Sequence, residues 1–116
     1  MNTFLKFIII IVICTIFNTQ KLVATEKIKI GLLVPLSGEH KSTGELILKS
    51  VRLAINKINN PNIEILPKDT MADPSITYEK AKELEENGVK IVIGPIFNKN
   101  LILLNNLNNI IFLSLT

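Results

Sequence analysis

The sequence of 116 residues contains no tryptophan, one tyrosine, one cysteine and one histidine. Without tryptophan, and with a single tyrosine, it has few rings on which nucleobases could stack. The lone cysteine, Cys14, excludes a disulfide framework and a cysteine-based metal site. His40 has no cysteine to share an ion with, so no metal is expected there. Charge of one sign is also scarce: 13 basic and 10 acidic residues leave only +3. Lys6 and Lys21 stand in an acid-free stretch of 25 residues, and the remainder is nearly balanced. Nucleic-acid binding needs cations clustered on one face, so no nucleic-acid partner is expected.

What the sequence does have is one long apolar run, residues 7–17, preceded by Lys6. A basic residue, an apolar core, a polar break at 18–21 and Ala24 at a cleavage edge form the pattern of a secretory signal over residues 1–24. Eleven residues rise only about 16 Å as a helix, against a hydrocarbon core of roughly 30 Å. Export is therefore expected in place of a permanent anchor. Cys14 follows Ile13, where a lipidation signal would carry a small residue, and reads as part of the apolar run.

From residue 25 onward, short β-rich runs alternate with helical stretches. Residues 27–34 (KIKIGLLV) pass from strict alternation to continuous apolarity, as a strand entering a buried sheet does. Ser42-Thr43-Gly44-Glu45 matches a capping box. Ile47, Val51, Ala54, Ile55 and Ile58 then recur at helical spacing, with Lys49, Arg52 and Lys57 on other faces. Residues 59–62 (NNPN) end that helix, and 63–66 form a second strand. Asp73-Pro74 places an N-cap before proline at the first helical position. The helix it opens runs to Glu86, with Ile76 or Thr77, Ala81 and Leu84 inward, and Asn87-Gly88 stops it. A third strand over 89–93, a weaker helix over 101–107 and a fourth strand over 110–115 complete the chain.

This β-α-β-α-β-α-β order predicts an α/β fold, a parallel sheet with flanking helices and right-handed crossovers. Ligands bind such sheets outside the carboxyl ends of the strands. The candidate surface is thus residues 35–43, 67–73, 94–98 and 114–116. Ending on a fourth strand, the sequence reads as an incomplete lobe, the N-terminal part of a longer protein or a truncated gene product.

The loop VPLSGEHKSTGELI (34–47) is the first place to look for chemistry. A P-loop requires lysine after its second glycine, and Glu45 stands there instead. Gly38 and Gly44 do not supply the spacing of a dinucleotide fingerprint either. What remains is a neutral surface of hydroxyls and amides at a helix start, suited to a small carboxylate or a polar uncharged solute. Ser42 is explained by capping, whereas Ser37 serves equally well as a turn residue or a ligand contact. Asp73 is spent as a cap, and Asp69 is open to a structural or a ligand role. No base is paired with Ser37 and no nucleophile motif is present, so no catalytic residue, cofactor or enzyme activity is expected.

Four marks in order, IKIGLLVPLSG, G-E-L-x-L-x-x-V-x-L-A-I-x-x-I-N, D-T-x-x-D-P and G-V-K-I-V-I-G-P-I-F, resemble the leucine/isoleucine/valine-binding proteins of the type 1 periplasmic-binding fold. They span residues 27–98, with a fainter match to the end. The resemblance implies a Rossmann-like lobe over residues 25–116, the first of two that close on a ligand. It implies an extracytoplasmic, periplasmic solute-binding component of an ABC transporter, with a small polar solute such as an amino acid as ligand and a membrane permease as partner. Its ligand-binding positions fall on Ser37, Gly38, Asn98, Ser114 and Thr116. Asn98 stands where that family typically has serine, and the family's threonine falls at or just beyond Thr116. Both departures bear on amino-acid specificity. The D-T and G-P-I-F forms also resemble the penicillin-binding protein activators, a branch that regulates peptidoglycan synthesis by touching a synthase.

Overall fold

The computed structural model describes residues 1–17 and 24–116. The polar break at 18–21, with Lys21 and the Leu22-Val23 pair, lies outside the described residues. The apolar N-terminal run is helix α1 (Thr3–Phe17). Among the described residues no helix is long and apolar enough to cross a membrane.

Four strands follow: β1 (Ile28–Val34), β2 (Ile63–Asp69), β3 (Ile91–Ile93) and β4 (Ile111–Leu113). They form one sheet in the order β2-β1-β3-β4, with every neighbouring pair parallel. The expected α/β class is what the chain adopts. β1 sits in the interior of the sheet, which is why its second half has no polar position. Register aligns Ile65, Ile30, Ile91 and Ile111 as one row and Leu66, Gly31, Val92 and Phe112 as the next.

Because successive strand residues point to opposite faces, these two rows face different layers. The second row meets α3 (Pro74–Glu86): a Cβ on Gly31 would lie 2.7 Å from Leu84 and 2.9 Å from Val92. Leu33, Ala81, Leu84, Val89, Val92, Leu104, Leu107 and Ile110 form the core on this side. α2 (Lys41–Ile58) lies against β1 and β2 on the other face, over the fully buried Leu32 and Val34. It comes so close that a Cβ at Gly44 would stand 1.7 Å from the Pro35 carbonyl oxygen, so only glycine fits. α2 does not reach the far strands, and on its side Ile111 and Leu113 are 64% and 52% exposed.

The local signals around α3 hold. Asp73 accepts hydrogen bonds from Ser75 N (2.8 Å) and Ile76 N (3.0 Å), with Pro74 at the first turn, and Gly88 turns the chain at φ +79°. Thr77, Ala81 and Leu84 are the buried positions of that helix. Asn59 ends α2 in the left-handed conformation.

Four expectations need correction. The capping box fails: α2 begins at Lys41, its N-cap is His40 with no side-chain hydrogen bond, and Ser42 lies inside the first turn. Seating Gly44 on Pro35 fixes where the helix starts, and Glu45 instead pairs with Lys41 at 3.5 Å. Ala54 and Ile58, expected inward, are exposed because α2 overhangs the sheet. Residues 101–107 are not an α-helix; two 3-10 turns, Asn98–Leu101 and Leu104–Asn106, occupy this stretch. Finally, β3 and β4 are three residues each, shorter than the apolar runs that contain them, while β2 extends to Asp69.

Candidate functional site

The carboxyl ends of all four strands lie along one edge, and the loops leaving them are tied to each other. Val34 O accepts from Thr70 N at 3.0 Å, and Asp69 Oδ1 accepts from Leu36 N at 2.7 Å and Met71 N at 2.9 Å. Asp69 therefore holds the loop after β1 to the loop after β2. Burial pushes its carboxyl up, but the Ser37 hydroxyl and the backbone N–H groups of Met71, Leu36 and Ser37 outweigh this and hold it below the usual range. Of the two roles open to Asp69, the structure shows the organising one. Met71 and Ala72 follow at positive φ, and Thr70 Oγ1 receives Ala72 N at 3.3 Å.

Ser37 faces this carboxylate without closing a hydrogen bond of good geometry, so its Oγ is buried with no partner. Gly38 turns at φ +75° with open space where a side chain would stand. Its carbonyl receives Lys41 N at 3.3 Å, and the His40 carbonyl receives Gly44 N at 3.2 Å. The chain thus enters α2 through backbone turns alone.

The loop after β3 starts at Gly94, where φ is +103° and a Cβ would be 2.4 Å from the Leu33 carbonyl oxygen. This close approach brings the following residues beside the loop after β1. The Phe97 ring lies 4.6 Å from the His40 ring, tilted by 51°. Asn98, at the start of the 3-10 turn, is exposed. Asn100, two residues on, is 1% exposed and neither atom of its amide has a partner. Leu115 N donates to Pro95 O at 3.2 Å, drawing the end of β4 to the same loop. There Ser114 Oγ and Thr116 Oγ1 are 3.1 Å apart, both exposed.

The five residues singled out from sequence therefore fall on three adjoining loops at one edge. Ser37 and Gly38 are joined to the Asn98 loop by the His40–Phe97 contact, and Ser114 and Thr116 by the Leu115–Pro95 bond. Sequence reasoning missed the His40–Phe97 pair and Asn100. The ring pair joins positions 57 residues apart, and Asn100 lies in a stretch whose asparagines signalled only a weak helix. No group of three or more potential metal-ligating side chains occurs among the described residues. A shallow concavity of about 690 Å³, lined by Ile55, Asn56, Asn59, Asn60, Pro61 and Ile63, lies at the opposite end of the sheet. That end carries none of the converging loops.

The sequence profile of the periplasmic binding proteins matches residues 27–114. An uncharacterized protein of Methanocaldococcus jannaschii is 32% identical over 98 residues, covering 75% of this chain and 24% of that one. A solute-binding protein of an ABC transporter from Rhodopseudomonas palustris, solved with 3,4-dihydroxybenzoic acid, is 27% identical with a TM-score of 0.68 over 76% of this chain and 26% of its own. Full-length LpoA from Haemophilus influenzae is 25% identical with a TM-score of 0.64, over 86% of this chain and 18% of its own. The chain thus spans about a quarter or less of these relatives.

Proposed function

We infer the role from a family premise: the chain belongs to the periplasmic binding proteins. We propose that it forms one rim of a solute-binding cleft in an extracytoplasmic component of an ABC transport system, exported by residues 1–24. The observation that carries this reading is the convergence of the loops after β1, β3 and β4 at one sheet edge, with Ser37 Oγ buried and unpaired. Hydroxyls, a helix start without a side-chain cap and the absence of a phosphate-binding lysine favour a small carboxylate over a nucleotide. An amino acid or a hydroxylated aromatic acid fits this chemistry. The ligand contacts are Ser37, Gly38, Asn98, Ser114 and Thr116, and hinge closure of a second lobe presents the loaded form to a membrane permease. With one rim alone, binding by these 116 residues is weak.

The test is nuclear magnetic resonance titration of the chain with leucine and, separately, with 3,4-dihydroxybenzoate. Amide shifts confined to residues 36–43, 95–98 and 114–116 support the reading. Shifts centred on residues 55–63, or tight stoichiometric binding in calorimetry, overturn it.

A second reading draws on LpoA, which matches a larger share of this chain than the transport protein does. A related LpoA domain is described as a regulator of PBP1A. On this reading the same edge touches a peptidoglycan synthase. Solute titrations leave the loop amides unmoved in that case, while a purified synthase shifts them.

A further inference from the structure

The net charge of the chain is +3, and the fold concentrates all of it on one element. α2 carries Lys41, Lys49, Arg52 and Lys57 against the single acid Glu45, a net of +3, so the rest of the chain sums to zero. Glu45 is taken up by Lys41. Among the described residues, Lys49, Arg52 and Lys57 form no ion pair; the bridges present are Lys41–Glu45, Lys68–Glu83 and Lys80–Glu83.

These cations flank an apolar ridge. With the inner face of α2 given to the sheet, positions 46, 49, 53 and 57 fall on one outward stripe at helical spacing. Leu46 is 66% exposed and Leu53 61% exposed. Two turns separate them, about 10 Å along the axis. Beside the ridge lies a shallow groove of about 390 Å³ lined by Glu45, Leu48, Lys49, Arg52, Leu53 and Asn56. Lone exposed leucines are unremarkable, but two aligned leucines bordered by unpaired cations match an anionic surface with an apolar layer beneath it.

We propose that the outer face of α2 docks on an anionic bilayer surface, with Leu46 and Leu53 at the headgroup boundary and Lys49, Arg52 and Lys57 on lipid phosphates. Charge complementarity selects this occupant: each cation near such a surface strengthens binding by about fivefold. The face lies on the side of the lobe, away from the loop edge, so docking leaves the candidate cleft open.

The experiment compares partitioning of the full chain into phosphatidylglycerol-containing vesicles and pure phosphatidylcholine vesicles. Lys6 in α1 adds an anionic preference common to every variant, so the share of α2 is read from the change that the variants make. A preference for the anionic vesicles that falls as salt rises is expected. Substituting K49Q, R52Q and K57Q together should reduce that preference by about a hundredfold, with circular dichroism unchanged because all three are surface residues. Substituting L46S and L53S should weaken binding while leaving its salt dependence. Equal partitioning into both vesicles, or a triple variant that keeps the wild-type preference, overturns the proposal. So does capture of the chain by polyglutamate without vesicle binding, which identifies an acidic polypeptide as the partner.

Discussion

Leu36 and Asp69 meet across 33 positions of sequence: the backbone N–H of one donates to a carboxylate oxygen of the other at 2.7 Å. That bond, with the one from Met71 N, sets the shape of the loop after β1. Asp69→Ala leaves both donors without an acceptor and should cost about 2 kcal/mol. It should also abolish solute-induced shifts at Ser37 and Gly38. Asp69→Asn keeps an acceptor and should recover most of the stability. Urea denaturation of the three proteins checks the first effect and amide titration the second.

Gly44→Ala tests the seat of α2. The added methyl would meet the Pro35 carbonyl, which is backbone and cannot swing away. A loss of roughly 3 kcal/mol is expected, at the upper end for overpacking, although alanine is the better helix former. A variant as stable as the parent would show that α2 lifts from β1 at little cost.

The two helix starts should respond differently to truncation. Asp73→Ala removes the acceptor for Ser75 N and Ile76 N and should cost about 1 kcal/mol. Ser42→Ala, inside the first turn of α2 and exposed, should change stability by less than about 0.5 kcal/mol. Thermal melts of the pair distinguish a working cap from a sequence that only matches one.

Glu83 receives Lys68 Nζ at 2.8 Å and Lys80 Nζ at 2.6 Å. Those two lysines lower its carboxyl from the ordinary 4.5 to about 2. A carboxyl depressed on folding stabilises the native state above its unfolded value, and that contribution fades as pH falls from about 4.5 through 2. Glu83→Gln should therefore lower stability near neutrality, by an amount that solvent screening keeps small, and match the parent at the acid end, flattening the acid limb of the stability–pH curve.

Asn100 is buried with both amide atoms unpaired. Replacing such a group by an apolar one of similar shape removes a desolvation cost. Asn100→Leu should melt at or above the parent temperature. A drop in stability of more than about 2 kcal/mol would instead reveal that the amide holds an internal partner such as a bound water.

How much of this was legible in the sequence depended on the range of the interaction. α3 could be read nearly residue by residue because Asp73, Pro74 and Gly88 act on their immediate neighbours. β1 and β2 were legible because alternation and apolar runs are local. The start of α2 was misread for a physical reason: Ser42 and Glu45 satisfy a short-range motif, but contact between Gly44 and Pro35 overrides it. The apolar stretch after Asn98 promised a helix by composition, and the structure breaks it into two short turns. Ser37, Gly38, Asn98, Ser114 and Thr116 could be placed at one edge from strand order alone. The contacts that tie their loops together, Leu36 to Asp69 and His40 to Phe97, join distant positions and leave no local pattern. The basic face of α2 was hidden likewise, because overall balance conceals a charge gathered by geometry.

The strand order β2-β1-β3-β4 has a consequence for biosynthesis. Of the two interior strands β1 is made first, and its second partner, β3, ends at Ile93, 59 positions after Val34. At roughly 5–20 residues per second, that partner emerges some seconds later. During this interval Leu32, Leu33 and Val34 have only β2 beside them, with one edge unpaired. A chain built in this order keeps β1 half-paired until β3 is made, and a polypeptide in that condition can still be threaded through a translocation pore.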